Sequence, residues 1–257
     1  MKKLILTGIL ALGTAFAQAG APAPAGPKVP APKSKAEAEA VQALAKAQGN
    51  PDEVIAAADS LVTKFADTDY KEIALFMEGD AYNKKHDWIK AEIYFGQAMQ
   101  ADPKDFRAPL MLGEVIVQHT GADDLDKEEK LSKAEKDLNT ALESLKTAPK
   151  PNPQLTDAQW NDYKNQFVGE AHDDLGLAAM DRKKYDMAIT EFRAASDADP
   201  AEPAHQTRLA SALQQAGKND EAITVCDKIL ADANLNPVIK QVVTGIKAQA
   251  TAAKGGK

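Results

Sequence analysis

The chain has 257 residues, a net charge of −7, 44% apolar residues, 5% aromatics and a single cysteine. The acidic balance argues against nucleic-acid and anionic-membrane partners. With Cys226 alone, no internal disulfide can form, so a disulfide scaffold is excluded.

The N-terminus reads as an export signal. Lys2 and Lys3 precede an apolar run from Leu4 to Phe16, and Ala17-Gln18-Ala19 offers a small-residue cleavage site before Gly20. The run is shorter than the roughly 20 residues that span a bilayer, and no second long apolar run follows, so stable membrane insertion is not expected. No cysteine stands at the cleavage site for lipid attachment. Residues 1–19 are therefore expected to be removed after Ala19, leaving a periplasmic or secreted product with a net charge of about −9. Residues 20–33, with prolines at 22, 24, 27, 30 and 32, read as a stiff, solvated spacer that does not pack.

From Ser34 onward the chain is rich in Ala, Leu, Lys, Glu and Asp and nearly free of alternating β-branched runs, which predicts an all-α protein. Ser34 with Glu37, and Thr156 with Gln159, have the spacing of a capping box, and Asn236-Pro237 opens a last helix. In that helix Ile239, Val242, Val243 and Ile246 are expected to form one buried stripe, with Lys240, Thr244 and Lys247 facing away. Between the first and last helices the same punctuation occurs twice: Gly79, Ala91, Phe95, Ala98 and Pro103 return 97 positions later as Gly176, Ala188, Phe192, Ala195 and Pro200. Small residues at the glycine and alanine positions let paired helices approach, Phe fills the space beside them, and Asp-Pro ends the second helix.

These positions, with Tyr82 and Leu175, resemble the tetratricopeptide repeat family, whose unit is a helix-turn-helix of 34 residues. The resemblance implies a right-handed α-α superhelix, a TPR solenoid, of about five repeats with a capping helix. Units 1–3 would occupy residues 34–148, the first of them degenerate around Asn50-Pro51-Asp52-Glu53. In the third, Leu112 and Gly113 are in register, but the second helix is displaced to Ala134, Leu138 and Ala141, implying about nine inserted residues near 120–129. A proline-rich loop at 149–155 is followed by units 4 and 5 at 156–236 and the cap at 237–253. The loop is compatible with one continuous stack, the preferred reading, or with two sub-arrays. In unit 5, Cys226 takes the large buried position.

The residues offer little chemistry. His86, His119, His172 and His205 lie outside any HExxH pattern, though His172 and His205 could approach each other on neighbouring helices. The cluster Asp123, Asp124, Asp126, Glu128 and Glu129 lacks calcium-loop spacing. No catalytic residue, metal site or cofactor is expected, and the chain is read as a non-enzyme.

In the family, the first helices of successive units line a concave groove. By that resemblance the groove residues are Ile73, Phe76, Asp80, Asn83, Arg107, Leu110, Glu114, Val117, Asp173, Leu177, Met180, Thr207 and Ser211, a mixed apolar and acidic surface. Phe76 and Asp80 replace the Lys and Asn of the family's carboxylate clamp. The function implied is a non-catalytic adaptor of the bacterial envelope or secreted space that holds a protein or peptide partner. The alternative is a structural protein that self-associates through repeat faces; the sequence leaves the oligomeric state open.

Overall fold

The computed structural model describes residues 30–255, so the export signal and most of the proline-rich spacer lie outside the described residues. Among those described there are eleven α-helices and no strand. The described residues form two compact units: one holds residues 30–108 with Lys146–Trp160, the other Pro109–Leu145 with residues 161–255.

The first unit is built on α1 (Lys35–Lys46), α2 (Pro51–Lys64), α3 (Lys71–Lys84) and α4 (Trp88–Ala101). Ser34 Oγ accepts from the Glu37 amide at 3.1 Å, while the Glu37 carboxylate accepts from the Lys33 amide at 2.6 Å. Asn50 caps α2 through the amides of Asp52 and Glu53 at 3.1 and 3.4 Å. Val41, Leu44, Val54, Ala58, Leu61 and Met77 form the core between these helices. The last spacer residues pack, contrary to the sequence reading: the Tyr70 hydroxyl donates to the Pro30 carbonyl at 3.0 Å, and Lys33 pairs with Asp67 at 3.0 Å. Lacking an amide hydrogen does not stop a proline carbonyl from accepting, and that is how the segment is held.

Helix α5 (Arg107–His119) begins in the first unit and continues in the second, which also takes most of α6 (Lys127–Thr147) and α7 (Asp157–Asp181). The second unit is completed by α8 (Tyr185–Ala198), α9 (Pro203–Gln215), α10 (Asn219–Leu230) and α11 (Pro237–Gly255). At the start of α7, Thr156 and Gln159 exchange the two bonds of a capping box, at 3.0 and 3.2 Å. Asn236 caps α11 through the Val238 amide at 2.9 Å.

Glycine sets the spacing within three of the hairpins, α3–α4, α5–α6 and α7–α8. A Cβ on Gly79 would stand 2.7 Å from the Phe95 ring, one on Gly176 2.5 Å from Phe192, and one on Gly113 2.5 Å from Leu138. In the hairpin of α5 and α6 the extra residues divide between a longer turn, 120–126 against 85–87 in α3–α4, and an added turn of α6 before Ala134. Arg182, whose side chain is 3% exposed, reaches Glu128 at 2.7 Å, Glu135 at 2.5 Å and Ser132 at 3.0 Å, tying α6 to the end of α7.

The turns between paired helices repeat as closely as the helices do. His86, Lys183 and Gly217 all adopt left-handed backbone, with φ of 61°, 57° and 74°. Amides on either side fold back onto the preceding helix, as in Asp87 to Tyr82, Lys184 to Ala179 and Lys218 to Leu213.

Helix α11 closes on α9 and α10 through Val243, Ile239 and Ile246, which pack with Ala210, Cys226 and Ile229. Val242, expected in that stripe, is 48% exposed. At about 100° per residue, a face centred on Val243 and Ala250 takes in Ile239 and Ile246 but turns Val242 outward. Lys247, expected to face away, is instead half-buried and paired with Asp227 at 2.5 Å.

A candidate partner-binding face on the first helices

In the first unit, the candidate residues Ile73, Phe76, Asp80 and Asn83 project from α3, and Arg107 begins α5. Phe76 is buried, 5% exposed, with its ring 5.5 Å from Phe95 and the Arg107 guanidinium 5.1 Å above it. Arg107 is held by Asp105 at 2.6 Å and Glu72 at 3.0 Å, its side chain 13% exposed. Burial raises the Glu72 carboxyl against the pull of Arg107. Asp80 pairs with Lys84 one turn on, and Ile73 packs onto the core. Arg107 and Phe76 are therefore a packed, ion-paired cluster and offer little to an incoming chain.

In the second unit α5, α7 and α9 carry the remaining candidates. Leu110 and Val117 are buried, at 3% and 4% exposure, and so are core residues. Glu114, Leu177, Met180, Thr207 and Ser211 stay partly exposed, with Leu177 and Met180 resting on the core of Ala179, Phe192 and Leu213. Their accessible edges make a surface that is apolar at Leu177 and Met180 and acidic at Glu114.

Asp173, 5% exposed, is engaged by its own fold: His205 Nδ1 lies 3.0 Å from Oδ1, and Arg208 binds Oδ2. His205 is itself buried. The two histidines on neighbouring first helices each take a carboxylate rather than each other, His172 meeting Glu191 at 2.8 Å and His205 meeting Asp173. A nearby acid is the better partner for an imidazole N–H than a second imidazole competing for the same protons.

Sequence reading missed Asp174. It is 6% exposed, one residue beyond the candidate position Asp173, and its pKa lies well above the ordinary carboxylate range. Burial is the main cause, followed by the charges of Glu114, Asp173 and Glu170, with Arg208 opposing. The signal available in sequence was the doublet Asp173-Asp174 on a helix that buries much of its circumference.

Elsewhere the acidic run after α5 is occupied by local bonds. Asp124 accepts from the Gly121 amide at 3.0 Å and pairs with Lys130 at 2.8 Å, and Asp126 shares that lysine at 3.0 Å. Among the described residues no group of three or more His, Cys, Asp or Glu is arranged to hold a metal ion. Cys226 is buried with Ala210 and Val243, and burial raises its thiol. A shallow cavity of about 450 Å³, lined by Lys183, Lys184, Tyr185, Asp186, Met187, Ala216 and Lys218, opens at the interhelix turns.

Paired helices, glycine-on-phenylalanine contacts and repeated left-handed turns define a tandem α-hairpin protein. Residues 179–246 match the tetratricopeptide repeat family, and the described residues form an all-α fold of tandem helical hairpins. Among solved structures, MamA, residues 41 to the end, from Desulfovibrio magneticus RS-1 is similar at 14% identity, covering 82% of this chain and 97% of that one, with a TM-score of 0.59. TTC0263, a thermophilic TPR protein of Thermus thermophilus, is similar at 18% identity, covering 81% and 95%, with a TM-score of 0.54. At such identities the likeness is one of fold. No curated protein matches the chain.

Proposed function

We propose that this chain is a non-catalytic interaction scaffold of the bacterial envelope or secreted space, holding an extended segment of a protein partner along α5, α7 and α9. The observation that carries the reading is the composition of that face. Leu177 and Met180 remain partly exposed beside Glu114, Thr207 and Ser211, supplying apolar contacts flanked by hydrogen-bonding groups. The basic n-region, apolar run and Ala17-Gln18-Ala19 support export, and no helix among the described residues is long and apolar enough to cross a membrane.

Affinity capture from the exporting cell tests this. Leu177→Glu places a charge on the exposed edge and is expected to lose at least one partner that the wild type recovers, at unchanged helicity. Identical recovery by both would remove the α5–α7–α9 face from the proposal. Buried Phe76 is unsuitable for such a test, because a charge there would unfold the first unit.

A second reading, self-association, draws on the outward face of α11, where Val238 is 68% and Val242 48% exposed. Recovery of untagged chain by tagged chain, abolished by Val242→Lys, would favour it.

A further inference from the structure

We propose that the stacked Tyr82–Tyr94 pair of the α3–α4 hairpin is a docking surface for a polyproline segment, and that its occupant is this chain's own residues 20–29.

The contact begins within the described residues. The Tyr70 hydroxyl donates to the Pro30 carbonyl at 3.0 Å, and the Lys33 ammonium pairs with Asp67 at 3.0 Å and Asp69 at 3.8 Å, so the end of the spacer is tied to the first unit. Tyr70 immediately precedes α3, and Tyr82 lies twelve residues on, in its last turn, a helical rise of about 18 Å. Upstream of Pro30 the sequence is GAPAPAGPKV, with prolines at 22, 24 and 27. In a polyproline helix, with three residues per turn, Pro24, Pro27 and Pro30 would share one edge, and Pro24 would stand about 19 Å from Pro30. An edge that starts on Tyr70 therefore has the length to reach Tyr82.

The surface at that end of the hairpin fits such a segment. The Tyr82 and Tyr94 rings stack at 5.2 Å and 18°, and both remain half-buried. Aromatic surfaces are what proline-rich chains pack against, and a polyproline backbone leaves every carbonyl unbonded. The Tyr94 hydroxyl is committed to Glu78, so its ring is what it offers. Lys90, 4.8 Å from the Tyr82 centroid and with its side chain 53% exposed, brings a donor for the free carbonyls. Next to Tyr94 on α4, Ile93 is 49% exposed and Ile89, one turn back, 75%, an apolar strip that the alanines and prolines would cover. The tether at Tyr70 makes the docking intramolecular, so individually weak contacts suffice. An external proline-rich chain has no such advantage.

NMR of isotope-labelled tyrosine rings tests this, comparing residues 20–257, the product expected after signal removal, with a chain that starts at Pro30. The truncation lies upstream of every described residue and leaves the packed helices whole. The Tyr82 and Tyr94 signals, assigned through Tyr82→Phe and Tyr94→Phe, are expected to move on truncation, while those of Tyr163 and Tyr185 in the second unit stay in place. A Pro24→Ala, Pro27→Ala double variant should reproduce the truncated spectrum. Pro22→Ala, off that edge, should keep the longer chain's spectrum.

Tyr82 and Tyr94 signals unmoved by truncation would overturn the proposal, as would Pro22→Ala acting like the double variant. Shifts that fade on dilution would put the segment on a second copy and overturn the intramolecular occupant. Each of these results leaves the α5–α7–α9 face standing.

Discussion

Lys183 is a long, unbranched residue held where glycine is usually found, at φ 57° in the α7–α8 turn; the equivalent position of the next hairpin is Gly217, at φ 74°. The left-handed region strains any residue with a Cβ. Lys183→Gly is therefore expected to raise stability by about 0.5–1 kcal/mol, read from chemical denaturation. Glu78 carries a different strain. It is 1% exposed, its Oε1 lacks a partner, and burial raises its pKa to about 7 although the Tyr94 hydroxyl donates to it. Asp59 raises it further and Lys90 opposes. A carboxyl raised on folding contributes its stabilisation fully below its unfolded pKa near 4.5 and loses it as pH climbs through about 7. Stability should fall between about pH 5 and pH 8, and Glu78→Gln should flatten that fall by about 1–3 kcal/mol. An unchanged pH profile in the variant would assign the decline to other groups. At this scale the sequence was least legible. Left-handed backbone at a lysine or histidine has no compositional mark, and whether an aspartate on a helix is bonded or stranded depends on neighbours one repeat away.

At the scale of elements the sequence was far more legible, because the positions that bring helices together are few and chemically narrow. Gly79 with Phe95 and Gly176 with Phe192 meet ring to backbone, and Leu138 takes the place of phenylalanine against Gly113 across a longer connection. The nature of these contacts gives a paired prediction. Gly176→Ala should destabilise by about 1–3 kcal/mol, since its Cβ would overlap a Phe192 ring that is 1% exposed. Gly245→Ala on α11, where a Cβ meets nothing within 4 Å, should stabilise by up to about 1 kcal/mol. Thermal melts of the two variants check both signs. What was misplaced was orientation: helical periodicity put Val242 in the buried stripe of α11 and the family resemblance put Phe76 in the groove, yet Val242 faces solvent and Phe76 the core. An apolar residue at the margin of a helical stripe can turn either way, and only the packing of neighbouring helices decides.

For the molecule as a whole, the all-α repeat fold is what supports the proposed role in holding other proteins. The candidate face divides by burial. Phe76, Leu110, Val117 and Asp173 are part of the fold's own core, whereas Leu177, Met180, Thr207 and Ser211 keep accessible edges. Partner contact should therefore concentrate on the first helices of the second unit and spare the outer helices, where Met187 on α8 is 49% exposed. Photo-crosslinking in the exporting cell, from a benzophenone side chain placed at position 180 or at position 187, tests this most directly. Discrete partner adducts from position 180 and none from position 187 are predicted; adducts from position 187 alone, or equally from both, would contradict the account.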